Sequence, residues 1–216
     1  MAISAQLVKE LREMTGAGFM DCKKALSESN GELQEALEFL QKKQLASVDK
    51  RAGRIAAEGL VGSYIHAGGS IGVLLEVNCE TDFVARNEDF QAFVKDICMH
   101  IAASAPLVVN EDELNAEDVE RQKRIFIGQS IEEGKPPEIA EKIVVGRLNK
   151  WKKSVVLLDQ PFVKDSDKTV ESYQTEVSSA IGEKISIRRF VRFEVGEGME
   201  KRSEDFAAEV AAQISG

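Results

Sequence analysis

The chain has 216 residues, with 28 Lys and Arg against 37 Asp and Glu, a net charge of -9, and 43% hydrophobic but only 6% aromatic residues. This is an ordinary globular balance for one or two domains, and its acidic excess argues against direct nucleic-acid binding, which needs many cationic contacts. Two histidines, His66 and His100, and three scattered cysteines, Cys22, Cys79 and Cys98, offer no multi-histidine or C-x-x-C metal site, so no metal and no cofactor is expected.

The N-terminus, Met-Ala-Ile-Ser-Ala-Gln, lacks a basic region followed by an apolar run. No apolar stretch approaches the roughly 18 residues that would cross a bilayer. An odd cysteine count without disulfide spacing suits a reducing compartment. The expectation is a cytoplasmic protein with no membrane contact.

Ile3, Leu7, Leu11 and Met14 recur at helical steps, and Ser4 is placed to cap them. Thr15-Gly16-Ala17-Gly18 breaks the pattern. Phe19, Cys22, Ala25 and Leu26 predict a second short helix, and Leu33, Ala36, Leu37 and Leu40 a third. Residues 1–45 thus read as a three-helix module, near the lower size limit for independent stability. Residues 46–58, basic at Lys50, Arg51 and Arg54, read as a linker that is helical in part.

The period then changes. Leu60 to His66, the turn Ala67-Gly68-Gly69-Ser70, and Ile71 to Asn78 predict a hairpin of strands. Asn87 to Ser104 returns to helix, with Phe90, Phe93, Val94, Ile97 and Ile101 as its stripe, and Pro106 stops it. Asn115–Glu133 and Pro137–Lys153 predict a helical hairpin at about 115–153, turned at Gly134. Its facing stripes are Val119, Ile125 and Phe126, then Ile139, Ile143, Val144 and Leu148. Val170, Tyr173, Val177 and Ile181 mark another helix ending at Gly182. From Lys184 to Val195, Ile185, Ile187, Val191, Phe193 and Val195 share one strand parity. A last helix from Ser203 carries Phe206, Val210 and Ile214. The fold class is α+β: an N-terminal three-helix module, then residues 59–216 as a small antiparallel sheet with helices and the inserted hairpin.

Catalytic patterns fail one by one. Gly128 to Gly134-Lys135-Pro136 has one residue too many for a phosphate loop, and Pro136 replaces the magnesium-binding hydroxyl. Gly196-Glu197-Gly198 lacks the third glycine of a dinucleotide fingerprint. No G-x-S-x-G occurs. Neither histidine has a visible partner for acid–base work, and no catalytic residue is assigned.

One segment resists a bland reading. Thr81-Asp82-Phe83-Val84 falls where the second strand ends and the next helix has not begun. Two arrangements are open. Phe83 enters an apolar slot of a partner while Asp82 presents charge, or Thr81 or Asp82 caps a helix and Phe83 packs inward.

The stretch from Glu76 to Arg86 resembles the second signature of the bacterial-type translation elongation factor Ts family, and Leu11 to Leu26 resembles the first. Met99–Ser104, Gly134–Lys142, Gln160–Val163 and Arg192–Gly198 are similar too, in the same order. The resemblance implies a guanine-nucleotide exchange factor without bond chemistry, acting on elongation factor Tu in its GDP-bound and nucleotide-free states. It implies that the N-terminal module, similar to ubiquitin-associated domains, contacts the nucleotide domain of Tu through Arg12, Met20 and Lys23. It implies that Thr81, Asp82, Phe83 and Val84 form a wedge beside the magnesium site of Tu, and that the helical hairpin is the family's coiled coil. Longer members carry two versions of the core, whereas this chain resembles the short form with one. Short forms pair, so a homodimer is expected. His66 is a candidate for contact with the third domain of Tu. The competing reading is a helical protein-binding module without exchange activity.

Overall fold

A computed structural model describes residues 3–15 and 17–199. The chain opens with α1 (Ala5–Thr15), α2 (Phe19–Glu28) and α3 (Leu33–Ala52). Ser4 caps α1, its Oγ accepting the Leu7 N–H at 3.2 Å. Val8, Leu11, Cys22, Ala25, Leu26, Ala36 and Leu40 close over one another as a separate small core. Met14 and Phe19, which helical spacing puts on the buried stripes, are exposed instead. A module of this size encloses little volume, and the seven buried residues fill it. The third helix runs on to Ala52, through the first half of the basic stretch.

Then come β1 (Glu58–Ile65), β2 (Ile71–Cys79), the single turn α4 (Asp82–Ala85) and α5 (Glu88–Ser104). A hairpin of α6 (Ala116–Glu132) and α7 (Pro137–Val155) follows. The short strands β3 (Pro161–Phe162) and β4 (Asp165–Thr169), α8 (Val170–Ile181) and β5 (Ser186–Glu194) complete the described part. The architecture is α+β, with an antiparallel sheet ordered β1-β2-β5 and a separate β3-β4 pair. Ser203, Phe206, Val210 and Ile214 lie outside the described residues.

The sheet's inner face carries Leu60, Tyr64, Val73, Leu75 and Val77, and it packs on Phe90, Phe93, Val94, Ile97, Cys98 and Ile101 of α5. Gly62 lets the two layers approach. A Cβ there would collide with the Val94 side chain and meet Cys98 Sγ at 3.3 Å. All three cysteines are buried and free.

In β5 the predicted alternation is broken. Val77 pairs with Ile187 and Glu76 with Arg189, so Arg188 is an extra residue in a bulge. A bulge reverses which parity faces in. Ile185 and Ile187 are buried, but Val191 and Phe193 turn outward and are exposed. Arg192 takes an inner place, its Nε donating to the Ala102 carbonyl at 3.4 Å. The outer face therefore displays Val61, Ile65, Leu74, Val191 and Phe193 together, with the Glu76–Arg189 ion pair at its margin, 2.7 Å.

The helical hairpin forms as expected. Asn115 caps α6 by accepting the Glu117 N–H at 2.8 Å, and Gly134 turns the chain at φ 79. The seam is made by Ser130, Ala140 and Val144, which are buried. Ile125 and Ile139, expected on the facing stripes, are half exposed. Gly128 lies within α6, so no phosphate-binding loop exists there.

Candidate partner-binding site

The central strand β2 delivers the chain to the end of the sheet through buried Val73, Leu75, Val77 and Cys79. At Thr81 the backbone is extended, φ -130 and ψ 153, and the hydroxyl accepts the Val84 N–H at 3.5 Å. Four helical residues follow, too few to bury two faces. Val84 and Ala85 pack against the core. Phe83 is left 77% exposed. Of the two arrangements open from sequence, Thr81 does cap the turn, but Phe83 does not pack inward. Asp82 lies 3.0 Å from Arg86 in a solvent-exposed pair, which is worth little and leaves the carboxylate accessible.

The root of this turn is held from a distance. The Glu183 carboxylate, just past α8, accepts the N–H groups of Glu80 and Thr81, each at 3.0 Å. It also accepts the Thr81 hydroxyl at 2.7 Å. In return, the Glu80 carboxylate accepts the Lys184 N–H at 2.6 Å and Arg54 Nη1 at 3.2 Å. The Lys184 N–H and, after it, the Arg54 guanidinium hold the Glu80 carboxyl below the usual carboxylate range. The Cys79 thiol donates to the Thr81 carbonyl at 3.1 Å. Burial, then the nearby Glu183 charge, pushes that thiol's pKa up, so it stays a neutral donor.

The same junction grips the end of α3. Arg51 Nη1 donates to the Ser178 carbonyl at 2.7 Å. Lys184 Nζ donates to the carbonyls of Ala52 and Arg54 at 2.6 and 3.1 Å. Basic side chains at a helix C-terminus satisfy its last carbonyls and oppose its dipole. Arg12, Met20 and Lys23 are exposed on the three-helix module. His66 is also exposed, with Nδ1 3.1 Å from the Tyr64 hydroxyl. It sits at the opposite end of the β1–β2 hairpin from Thr81. Nine strand residues at about 3.3 Å each separate the two ends, so His66 does not converge with the Thr81–Val84 turn.

Among the described residues, no group of three or more His, Cys, Asp or Glu is arranged to hold a metal ion. No described helix is long and apolar enough to cross a membrane. The described surface offers a projecting aromatic on a pinned turn.

Residues 4–197 match a model of the Elongation factor TS family. The chain belongs to the elongation factor Ts family. It is 61% identical over 212 residues to the Elongation factor Ts of Desulforamulus reducens, covering 98% of each chain. It is 60% identical over 212 residues to that of Geotalea uraniireducens, again covering 98% of each. It is 58% identical over 214 residues to that of Acetivibrio thermocellus, covering 99% of this chain and all of the other. Membership in the elongation factor Ts family implies a nucleotide-exchange factor for elongation factor Tu. Within this elongation factor Ts fold, Glu183 carries no local sequence signal. It follows the helix-ending Gly182, and its partner Thr81 lies 102 residues earlier. Only the folded sheet, with β5 laid beside β2, brings them together.

Proposed function

We propose that this chain releases GDP from elongation factor Tu by inserting the Thr81–Val84 turn beside the magnesium site of Tu. The observation that carries this reading is Phe83, a large apolar ring held 77% exposed on a capped turn. Exposing such a ring has no benefit for this chain alone, whereas an apolar slot on a partner would bury it. Asp82, beside it, brings negative charge toward a site whose dominant local charge is a cation. Tu holds GDP through phosphate contacts and that ion, so displacing their surroundings weakens the nucleotide. Linkage requires GDP to weaken the factor by the same factor. The factor then stays on nucleotide-free Tu until GTP displaces it, and turns over without making or breaking a bond.

The N-terminal module, residues 1–45, would anchor the complex through Arg12, Met20 and Lys23. Residues 46–58 would connect it to a core of residues 59–216, with the hairpin as the family's coiled coil. The outer sheet face of Val61, Ile65, Leu74, Val191 and Phe193 suits a homodimer, because a two-fold axis sets the same patch against itself. A cytoplasmic setting fits a translation factor. Stopped-flow release of labelled GDP from Tu tests the reading. Asp82→Ala with Phe83→Ala is expected to slow release by about a hundredfold. Release at the wild-type rate from a complex that still forms would assign a binding module without exchange activity instead.

A further inference from the structure

Glu183 lies on neither the wedge nor the N-terminal module, yet its carboxylate takes three hydrogen bonds from two consecutive residues at the wedge root. The bonds fix Thr81 on every side. Its N–H and hydroxyl go to Glu183, and its carbonyl receives the Cys79 thiol. Because the hydroxyl proton points to Glu183, the oxygen's lone pairs are free for the Val84 N–H that starts α4. The direction in which α4 leaves the sheet follows from the backbone at Thr81, and Phe83 stands two residues on. The exposed ring itself has little of its own packing to hold it.

We propose that Glu183 is a positioning residue for nucleotide exchange. Its carboxylate holds the Thr81 root so that Phe83 meets the partner already oriented. The reciprocal bonds of Glu80 to Lys184 and Arg54 extend the hold to the end of α3, joining the wedge to the segment that carries the N-terminal module. Orientation fixed in advance costs nothing at the moment of binding, and a small misplacement of a reacting group is expensive. The inference rests on the wedge reading given above and adds the residue that aims it.

GDP release from Tu, measured against factor concentration, tests it in four proteins: wild type, Glu183→Ala, Phe83→Ala and the double variant. Glu183→Ala is expected to lower the saturating release rate by about tenfold while the half-saturating concentration stays within about twofold. In the Phe83→Ala background the same change should cost less than about twofold, because two residues acting through one device are not additive. Glu183→Gln, which keeps an acceptor oxygen for the two N–H groups, should recover most of the rate. A wild-type saturating rate in Glu183→Ala overturns the proposal, as does a loss confined to half-saturation or an equal loss in both backgrounds. Phe83→Ala at the wild-type rate would instead remove the wedge reading, and this proposal with it. Should Glu183→Ala fail to fold, Thr81→Val removes the hydroxyl alone at nearly constant volume. It removes both the bond to Glu183 and the cap on the Val84 N–H, is expected to lose about three- to tenfold in saturating rate, the scale of one to two hydrogen bonds, and a wild-type rate there overturns the proposal.

Discussion

His100 on α5 and Gln160 before β3 meet inside the core, Nε2 to Oε1 at 2.8 Å, both buried. The surrounding groups fix the proton. The Val163 N–H can only donate, and it reaches His100 Nδ1 at 3.2 Å. Nδ1 is therefore the acceptor, and Nε2 carries the hydrogen given to Gln160. The Gln160 amide nitrogen then donates to the Ser154 carbonyl at 2.6 Å and the Ser104 carbonyl at 3.4 Å. One neutral imidazole thus ties α5, the end of α7 and the β3 strand. Burial lowers the His100 pKa below 6.5, outweighing the bond to Gln160, which raises it.

A depressed histidine pKa means that the unfolded chain binds the proton more readily, so stability rises with pH across the window between the two values. The stabilisation is complete above about pH 6.5 and is lost as pH falls from there through the folded-state pKa. The carboxyls of Glu76, Glu80 and Glu133, lowered from 4.5, add losses only below that value, so the histidine window is separate. Thermal melts should fall between pH 7.5 and 5.5 in the wild type and in His66→Gln. In His100→Gln the profile should flatten over that range while the melting temperature at pH 7.5 drops. A wild-type melting temperature that does not change from pH 7.5 to 5.5 would contradict this.

What the sequence carried, and what it did not, separates along the distance over which each signal acts. The three-helix module, the β1–β2 hairpin, α5 and the α6–α7 hairpin are set by periodicity, caps and turn glycines within a few residues of one another. The junction at Thr81–Val84 was legible because it sits at a change of period, but its pattern left open whether Phe83 packs inward or projects, which the 77% exposure of the ring decides. The bulge at Arg188 was not, since one extra residue leaves the local pattern of Ile185, Ile187, Val191 and Phe193 looking continuous, and only the partner strand reveals the slip. The β3–β4 pair is too short to show alternation. The contacts of Glu183 with Thr81 and of His100 with Gln160 join positions 102 and 60 apart, where no spacing rule operates.

Gly62 tests the packing of the sheet on α5. Gly62→Ala sets a methyl group into the Val94 side chain and close to Cys98 Sγ. Overpacking of this kind costs about 1–3 kcal/mol. Denaturant unfolding should show a lower midpoint with an unchanged slope. Gly62→Ala combined with Val94→Ala should recover less than the full loss, since the smaller side chain makes room but gives up buried surface. Wild-type stability in Gly62→Ala would show that the two layers can part without cost.

The outer sheet face gives a prediction about assembly. Leu74 and Val191 are paired across β2 and β5, and Phe193 stands opposite Gly72. Placing charge there, as Leu74→Asp with Phe193→Asp, should leave the fold intact because both side chains already face solvent in the single chain. Sedimentation equilibrium at micromolar concentration should give a dimer for the wild type and a monomer for the variant. A monomeric wild type would refute the homodimer, and a dimeric variant would move the interface to another face.

Anchoring and wedging act on different kinetic parameters. Met20, on α2, is 70% exposed and lies outside the buried cluster of its module. Arg12 and Lys23 are exposed as well. Replacing Met20 by Ala therefore has no core to disturb, and the melting temperature should stay within about one degree. If the N-terminal module anchors Tu, the loss must appear in binding. An interface anchor truncated to Ala costs about 1–2 kcal/mol, a rise of about five- to thirtyfold in the half-saturating concentration for GDP release. The saturating rate should hold near the wild-type value, because the Thr81–Val84 turn and its Glu183 support are untouched. Phe83→Ala should do the reverse, lowering the saturating rate more than it raises half-saturation. Identical changes in both parameters for Met20→Ala and Phe83→Ala would mean that the module and the turn do not divide the work in this way.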